Sequence, residues 1–361
     1  MEKSSSRRRF LQQAAATVAW ALGLAGSTRS SLGAETSPFS HQGVRTADGV
    51  QEHLLFIPYV SRPRMPHGPS KLGVHTVRPD GALDLVRQAS AAGAQVALVK
   101  ALDDIGYLHQ VKDVSPGTTR VARRQDPWGG GIGAEGDPVE AAQERMEWHL
   151  SAWEPNREWV DYWEVLNEPD PPGVDGHRWL AEFYIACMDI ADQNGYKLAI
   201  FSYSVGVPEW EEWQGIVATG VFEQAQAGGH ILALHEYNWP HMDERWGEAL
   251  PGHTLGLDRG VLTGRYRHLY EDFLIPRDLV IPLVITEAGY DPSVVSQGWD
   301  GDWKNRYVSE MAWYDDKLRE DDYVIGCALF TLGGIGIWRD WDYEDLLDDL
   351  GDYIISLKDR P

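Results

Sequence analysis

Two acidic residues in this chain stand in contexts suited to bond cleavage. Glu168 closes the run Tyr162-Trp-Glu-Val-Leu-Asn167-Glu168-Pro169, and Glu287 lies in Ile281-Pro-Leu-Val-Ile-Thr286-Glu287-Ala-Gly289. Each follows a short apolar run that reads as a buried strand, and a chain-breaking residue comes soon after. A pair of carboxyl groups, one able to give up a proton and one ionised, is what hydrolysis of a glycosidic bond requires.

Such a pair needs a scaffold that brings two distant strand ends together. Eight strand-like runs follow one another: Leu72–Val77, Gln95–Ala101, Arg120–Arg124, Tyr162–Asn167, Leu198–Tyr203, Ile231–Tyr237, Leu283–Thr286 and Val324–Thr331. Amphipathic stretches at helical spacing lie between them, clearest at Leu83–Ala92, Val139–Trp153, Trp179–Gln193, Asn305–Arg319 and Tyr343–Leu357. Asn194-Gly195 is a fitting stop for the helix after strand four. This alternation predicts an α/β fold, a (β/α)8 TIM barrel over residues 71–361, with a doubly wound open sheet as the competing reading. In a barrel the site lies at the C-terminal mouth, and strands four and seven face each other across it. Their carboxyl groups could then sit about 5–5.5 Å apart, the spacing of a retaining glycosidase. Other strand ends offer His75, Lys100, Asp103, Arg123, Arg124, Ser202, Tyr203, His235 and Tyr237, with Trp338 beyond strand eight.

The run Trp163-Glu-Val-Leu-Asn167-Glu168-Pro169 resembles the strand-four signature of glycoside hydrolase clan A, which includes cellulase-type family 5 and family 39. Ile285-Thr286-Glu287-Ala-Gly289 resembles its strand-seven nucleophile motif, and His235-Glu-Tyr237 its strand-six element. No full motif set of a single family is present. The resemblance implies retaining hydrolysis of β-linked glycosides, with Glu168 as acid and then base and Glu287 as nucleophile. It further implies that Asn167 binds the sugar 2-hydroxyl, that Tyr237 holds Glu287 and that Trp338 stacks on the sugar; His235 reads as a substrate contact or as a structural strand-end histidine. Many clan members carry an Arg near the end of strand two; here that strand carries Lys100, and Arg123 on strand three is the candidate for the role. An acid beside an ionised carboxylate holds its proton more tightly, and it turns into a base once that charge is consumed.

The remaining features narrow the class. A formal charge of -23, spread along 361 residues, disfavours nucleic acid and anionic membranes as partners. Ser6-Arg7-Arg8-Arg9-Phe10-Leu11 before an apolar stretch fits a twin-arginine signal over residues 1–35, followed by a lead-in segment over 36–70. The expectation is delivery by the twin-arginine export machinery to the periplasm, envelope or exterior, with no membrane span in the mature form. Cys187 and Cys327 read as small buried hydrophobes, a disulfide between them being the alternative. His235-Glu-Tyr-Asn-Trp239 departs from the zinc pattern His-Glu-x-x-His, so neither metal nor cofactor is expected. The glycine-rich stretches Gly129–Gly136 and Gly333–Gly336 keep a phosphate-binding barrel enzyme open as an alternative, and a non-catalytic glycan-binding barrel is another. Of the 16 Trp residues, Trp148, Trp153 and Trp313 fall in helical stretches. Trp128, Trp210, Trp239, Trp246, Trp299, Trp303 and Trp341 follow strand ends, where flat rings can stack on sugars.

Overall fold

The computed structural model describes residues 64–250, 253, 258–290 and 303–361. The expected signal segment therefore lies outside the described residues, as do most of the lead-in segment and Trp299. Eight parallel strands form one sheet: β1 (Leu72–Thr76), β2 (Leu98–Leu102), β3 (Thr119–Arg123), β4 (Tyr162–Glu164), β5 (Ala199–Tyr203), β6 (Ile231–Asn238), β7 (Leu283–Tyr290) and β8 (Val324–Leu332). Their order is β4-β3-β2-β1-β8-β7-β6-β5. A parallel bridge from Trp163 to Leu198 joins the two ends, and the Trp163 N–H donates to the Lys197 carbonyl at 2.9 Å. The sheet thus closes into a (β/α)8 barrel, and the open-sheet reading is set aside.

Strands buried on both faces need apolar residues at every position, so they appear in the sequence as continuous runs. The helices between them cover the outside. The one at Pro138–Trp153 starts at Asp137, whose side chain accepts from the Val139 and Glu140 N–H groups, with Pro138 at the first helical position. The 21-residue helix Gly173–Gln193 ends at Asn194, and Gly195 follows at φ +73°. Three helices absent from the clearest sequence pattern are short: Leu108–Val114, Trp210–Val217 and Val221–Gly228. A segment of one or two turns offers too few residues for a periodicity to stand out.

Inside the barrel the side chains form layers. Leu98, Val121, Ala199, Ile231, Ala233, Val284 and Ala328 pack into one apolar cluster. Gly73 completes it from β1, because a Cβ there would lie 1.8 Å from the Leu98 carbonyl oxygen. Alternate residues of a strand share a face, so the next inward positions are two residues further on. Those positions hold His75, Lys100, Arg123, Glu164, His235 and Phe330. An apolar floor therefore carries a charged and aromatic layer at its C-terminal side.

Arg120 sits at the opposite end of β3 and is held by Asp161 and by the Trp159 and Thr118 carbonyls. Cys187 and Cys327 are both buried and free.

Candidate active site

A bulge aims Glu287 inward. Leu234 pairs with Ile285, but the next residue, His235, pairs with Glu287, so Thr286 is the extra residue on β7. An added residue reverses the alternation, and it brings Glu287 to the face that Val284 occupies below. Glu168 reaches the same space differently. The β4 ladder ends at Glu164, earlier than the apolar run suggests, and the chain continues over the rim. There the Asn167 N–H donates to the Gly130 carbonyl and the Glu168 N–H to the Ser202 carbonyl. Glu168 adopts φ +49°, a conformation uncommon for any residue with a side chain.

The two carboxylates come together at the mouth. One oxygen of each lies within 4.8 Å of the other and of a His235 ring nitrogen. His235 Nδ1 sits 2.9 Å from Glu168 Oε1 and 3.6 Å from Glu287 Oε2. The Ser204 hydroxyl donates to Glu168 Oε1 at 3.0 Å. The Tyr237 hydroxyl donates to Glu287 Oε2 at 3.0 Å, and Lys100 Nζ donates to Glu287 Oε1 at 3.1 Å. His75 Nε2 and Arg123 each stand 3.8 Å from that same Oε1.

These charges set the state of Glu287. Burial pushes its carboxyl up, but His235 first, then Lys100 and Arg123, outweigh burial and hold it well below the usual carboxylate range. His75 is itself pushed far down by burial and by Lys100, so its ring is neutral. Lys100 and Arg123 stand beside Glu287 together with the His235 ring. Glu287 is therefore ionised at neutral pH.

Two participants are given no role by the motifs. Lys100, rather than Arg123, makes the short contact to Glu287. Behind it Glu164 Oε2 lies 2.8 Å from Lys100 Nζ, and neither side chain has any exposed surface. Burial pushes the Glu164 carboxyl up, while Lys100, His235 and Arg123 bring it below its ordinary value. The available signal was a charged residue inside each of two otherwise apolar strands, Leu-Val-Lys-Ala-Leu and Tyr-Trp-Glu-Val-Leu. Charges buried that deeply need a partner.

The other expected residues are distributed unevenly. Asn167 stands on the rim with its Oδ1 buried and unpaired. His235 lies beneath the carboxylates with no exposed surface, so Glu168 stands between it and the opening. Trp338 meets Phe330 edge-on at 6.2 Å. Trp341 is more central, edge-on to Tyr237 at 5.6 Å and to Phe330 at 5.5 Å. Trp239 and Trp128 are about two-fifths exposed. Trp128 lies over Arg145, with the guanidinium 4.3 Å from the ring centroid. Trp210 packs on Phe273, and Trp246 on Trp313 and Arg267, so both belong to the barrel wall. Trp303 opens the helix Trp303–Arg319. Trp153, within its helix, stacks on Trp163 at 4.9 Å. Arg124 turns away to donate to the Asp103 carbonyl, and Tyr203 turns outward to His177.

Neither glycine-rich loop offers an anion cradle. The Trp128 and Gly130 N–H groups donate to Asp126, which Arg145 also binds, and the Gly334 N–H donates to Asp342. Among the described residues two groups could surround a cation: Glu168 with His235 and Glu287, and His241 with Asp243 and Glu310. The first is bonded internally and faces Lys100 and Arg123, which repel a cation. In the second, His241 Nδ1 pairs with Glu310 Oε1 at 2.7 Å, and the other oxygen accepts from the Met242 N–H.

No protein-family model matches the sequence, and no curated protein matches it. Several solved structures share its backbone course. One is a family 39 glycoside hydrolase from Bacteroides cellulosilyticus WH2, 14% identical, with a TM-score of 0.49. The alignment covers 81% of this chain and 64% of that one, so the present chain spans a little under two thirds of its neighbour. A glycoside hydrolase family 5 enzyme from Prevotella bryantii B14, solved with a xyloglucan tetradecasaccharide, is 12% identical, with a TM-score of 0.46 and coverage of 80% and 99%. An endo-β-1,3-glucanase of family 128 from Pseudomonas viridiflava is 17% identical, with a TM-score of 0.39 and coverage of 80% and 97%.

Proposed function

We propose that this chain is a retaining hydrolase of β-linked glycosides. One observation carries the reading: Glu168 and Glu287 approach within 4.8 Å, oxygen to oxygen, at one barrel mouth. So close an approach supports double displacement, for which the carboxyl groups stand about 5–5.5 Å apart, over the wider gap of about 6.5–9.5 Å that accommodates a water molecule in inverting enzymes.

The chemistry follows from the surroundings of each group. Glu287, ionised and steadied by Lys100 and Tyr237, attacks the anomeric carbon. Its oxygen bonds to that carbon as the bond to the leaving oxygen breaks, and Glu168 delivers its proton to that oxygen. Glu168, now a carboxylate, then takes a proton from water, whose oxygen displaces Glu287 from the sugar. Ser204 and His235 orient Glu168. Asn167, with a buried unpaired acceptor, is suited to the 2-hydroxyl of the bound sugar. Trp338 and Trp341 supply aromatic faces, and Arg123 reinforces the positive field at Glu287. The same reading includes passage through the twin-arginine export machinery, resting on Arg7, Arg8 and Arg9 before the apolar stretch.

The experiment is a panel of aryl β-glycosides, β-glucans, β-mannans and xylans, set against the unaltered protein, Glu168→Ala and Glu287→Ala. The expected result is turnover lost in Glu287→Ala and regained with azide, giving a product of inverted configuration. Turnover that persists in Glu287→Ala without azide, or no turnover of any member of the panel, refutes the proposal.

A further inference from the structure

The charged layer holds one carboxylate more than double displacement uses. Glu164 is buried, lies below the reacting pair, and touches no position a sugar could reach. Its partner is Lys100, whose ammonium group spans two carboxylates, 2.8 Å from Glu164 and 3.1 Å from Glu287. Arg123 stands on the strand between them, 3.9 Å from Glu164 and 3.8 Å from Glu287. Two cations thus face two anions, one in the site and one beneath it.

The reaction cycle upsets that balance. When Glu287 bonds to the anomeric carbon, it becomes an ester and its negative charge disappears. Lys100 has then lost the anion it touches on the sugar side, and Glu164 is the carboxylate left in contact with it. An isolated buried cation is heavily disfavoured, and the cost falls on the ester and on the transition state leading to it. Resting on the glycosidase reading, we infer that Glu164 is a positioning residue that acts through Lys100. It provides the permanent counter-charge that keeps the cation in place while Glu287 is esterified.

The inference separates Glu164 from a merely structural acid. Replacing Lys100 removes a cation from Glu287, so the acid limb of kcat/KM moves up by about one pH unit or more. Replacing Glu164 removes an anion instead, so the limb moves down. A structural role predicts a loosened Lys100 and a rise in both variants.

The test compares Glu164→Gln, Lys100→Met and the double variant, a neutral pair of similar size. The Glu287 carboxyl is followed directly by carbon NMR of the full chain labelled at glutamate, and its signal is identified by its loss in Glu287→Gln. Expected are opposite displacements of the Glu287 titration in the two single variants. Also expected is a tenfold or greater loss of kcat/KM in Glu164→Gln on an aryl glycoside cleaved by the unaltered protein (about 1.4 kcal/mol), with less covalent intermediate at steady state. The double variant recovers thermal stability but not the rate. A rise of the Glu287 titration in Glu164→Gln, or joint recovery of stability and rate in the double variant, overturns the inference. The NMR titration needs no turnover, so failure of the inference is distinguishable from failure of the glycosidase reading.

Discussion

Tyr237→Phe isolates one contact of Glu287, the proposed nucleophile. The phenol donates to Glu287 Oε2 at 3.0 Å, while its ring packs against Phe330 and Trp341 at 6.3 and 5.6 Å. Phenylalanine keeps the ring and removes only the donor. A hydrogen bond to a buried charged acceptor contributes about 1.5–3 kcal/mol. That energy favours the ionised form of Glu287, so its loss raises the carboxyl by about one to two pH units. The same energy corresponds to a fall of about ten- to a hundredfold in kcat/KM. The direction is fixed by chemistry, since a carboxylate that loses a donor binds its proton more readily. The assay is the pH dependence of kcat/KM on the best substrate of the panel, with far-ultraviolet circular dichroism to confirm the fold. An acid limb that does not move, together with a rate within twofold of the unaltered protein, refutes the claim that this bond steadies the nucleophile.

Three further outcomes concern stability. Burial pushes Glu236 up to about 7, against the pull of the Gly264 and Tyr266 N–H groups and the Tyr314 hydroxyl. A carboxyl raised in the folded state disfavours folding as pH rises from its ordinary value through about 7. Urea unfolding should therefore show stability falling by up to about 3 kcal/mol across that window, and Glu236→Gln should flatten the slope. Gly73→Ala would place a methyl group 1.8 Å from the Leu98 carbonyl oxygen and force β1 off β2. The expected loss is about 3 kcal/mol or more, seen as a lowered urea midpoint or as insoluble protein. Arg267 donates to Asp321, Glu320 and the Asp258 and Lys317 carbonyls from a fully buried position. Arg267→Met strands these acceptors and should cost about 3–5 kcal/mol in the same assay.

The strands could be found in the sequence because double-sided burial imposes an apolar run on each. Glu168 and Glu287 were recognisable because both stand where such a run gives way to Pro or Gly. What escaped were relations between strands. Lys100 and Glu164 are 64 positions apart, and only the register of β2, β3 and β4 brings them together. The bulge at Thr286 leaves no mark in composition, yet it determines which way Glu287 points. Trp341 and Trp338 are indistinguishable as residues after a strand. The short helix Gly336–Trp341 places Trp341 against both Tyr237 and Phe330, and Trp338 against Phe330.

The layered interior also bears on how such a barrel can be altered. The floor of small and branched aliphatic residues makes no contact with solvent and is indifferent to what is done above it. The charged groups are concentrated in the next tier, to which β1, β2, β3, β4 and β6 contribute His75, Lys100, Arg123, Glu164 and His235. A change of one residue per strand there alters the chemistry on offer and leaves the closure of the ring intact. The architecture therefore separates inheritance of shape from inheritance of activity. Substitutions in the upper tier change the charges offered at the mouth, and where they are paired, as Lys100 and Glu164 are, they must change together to keep the fold.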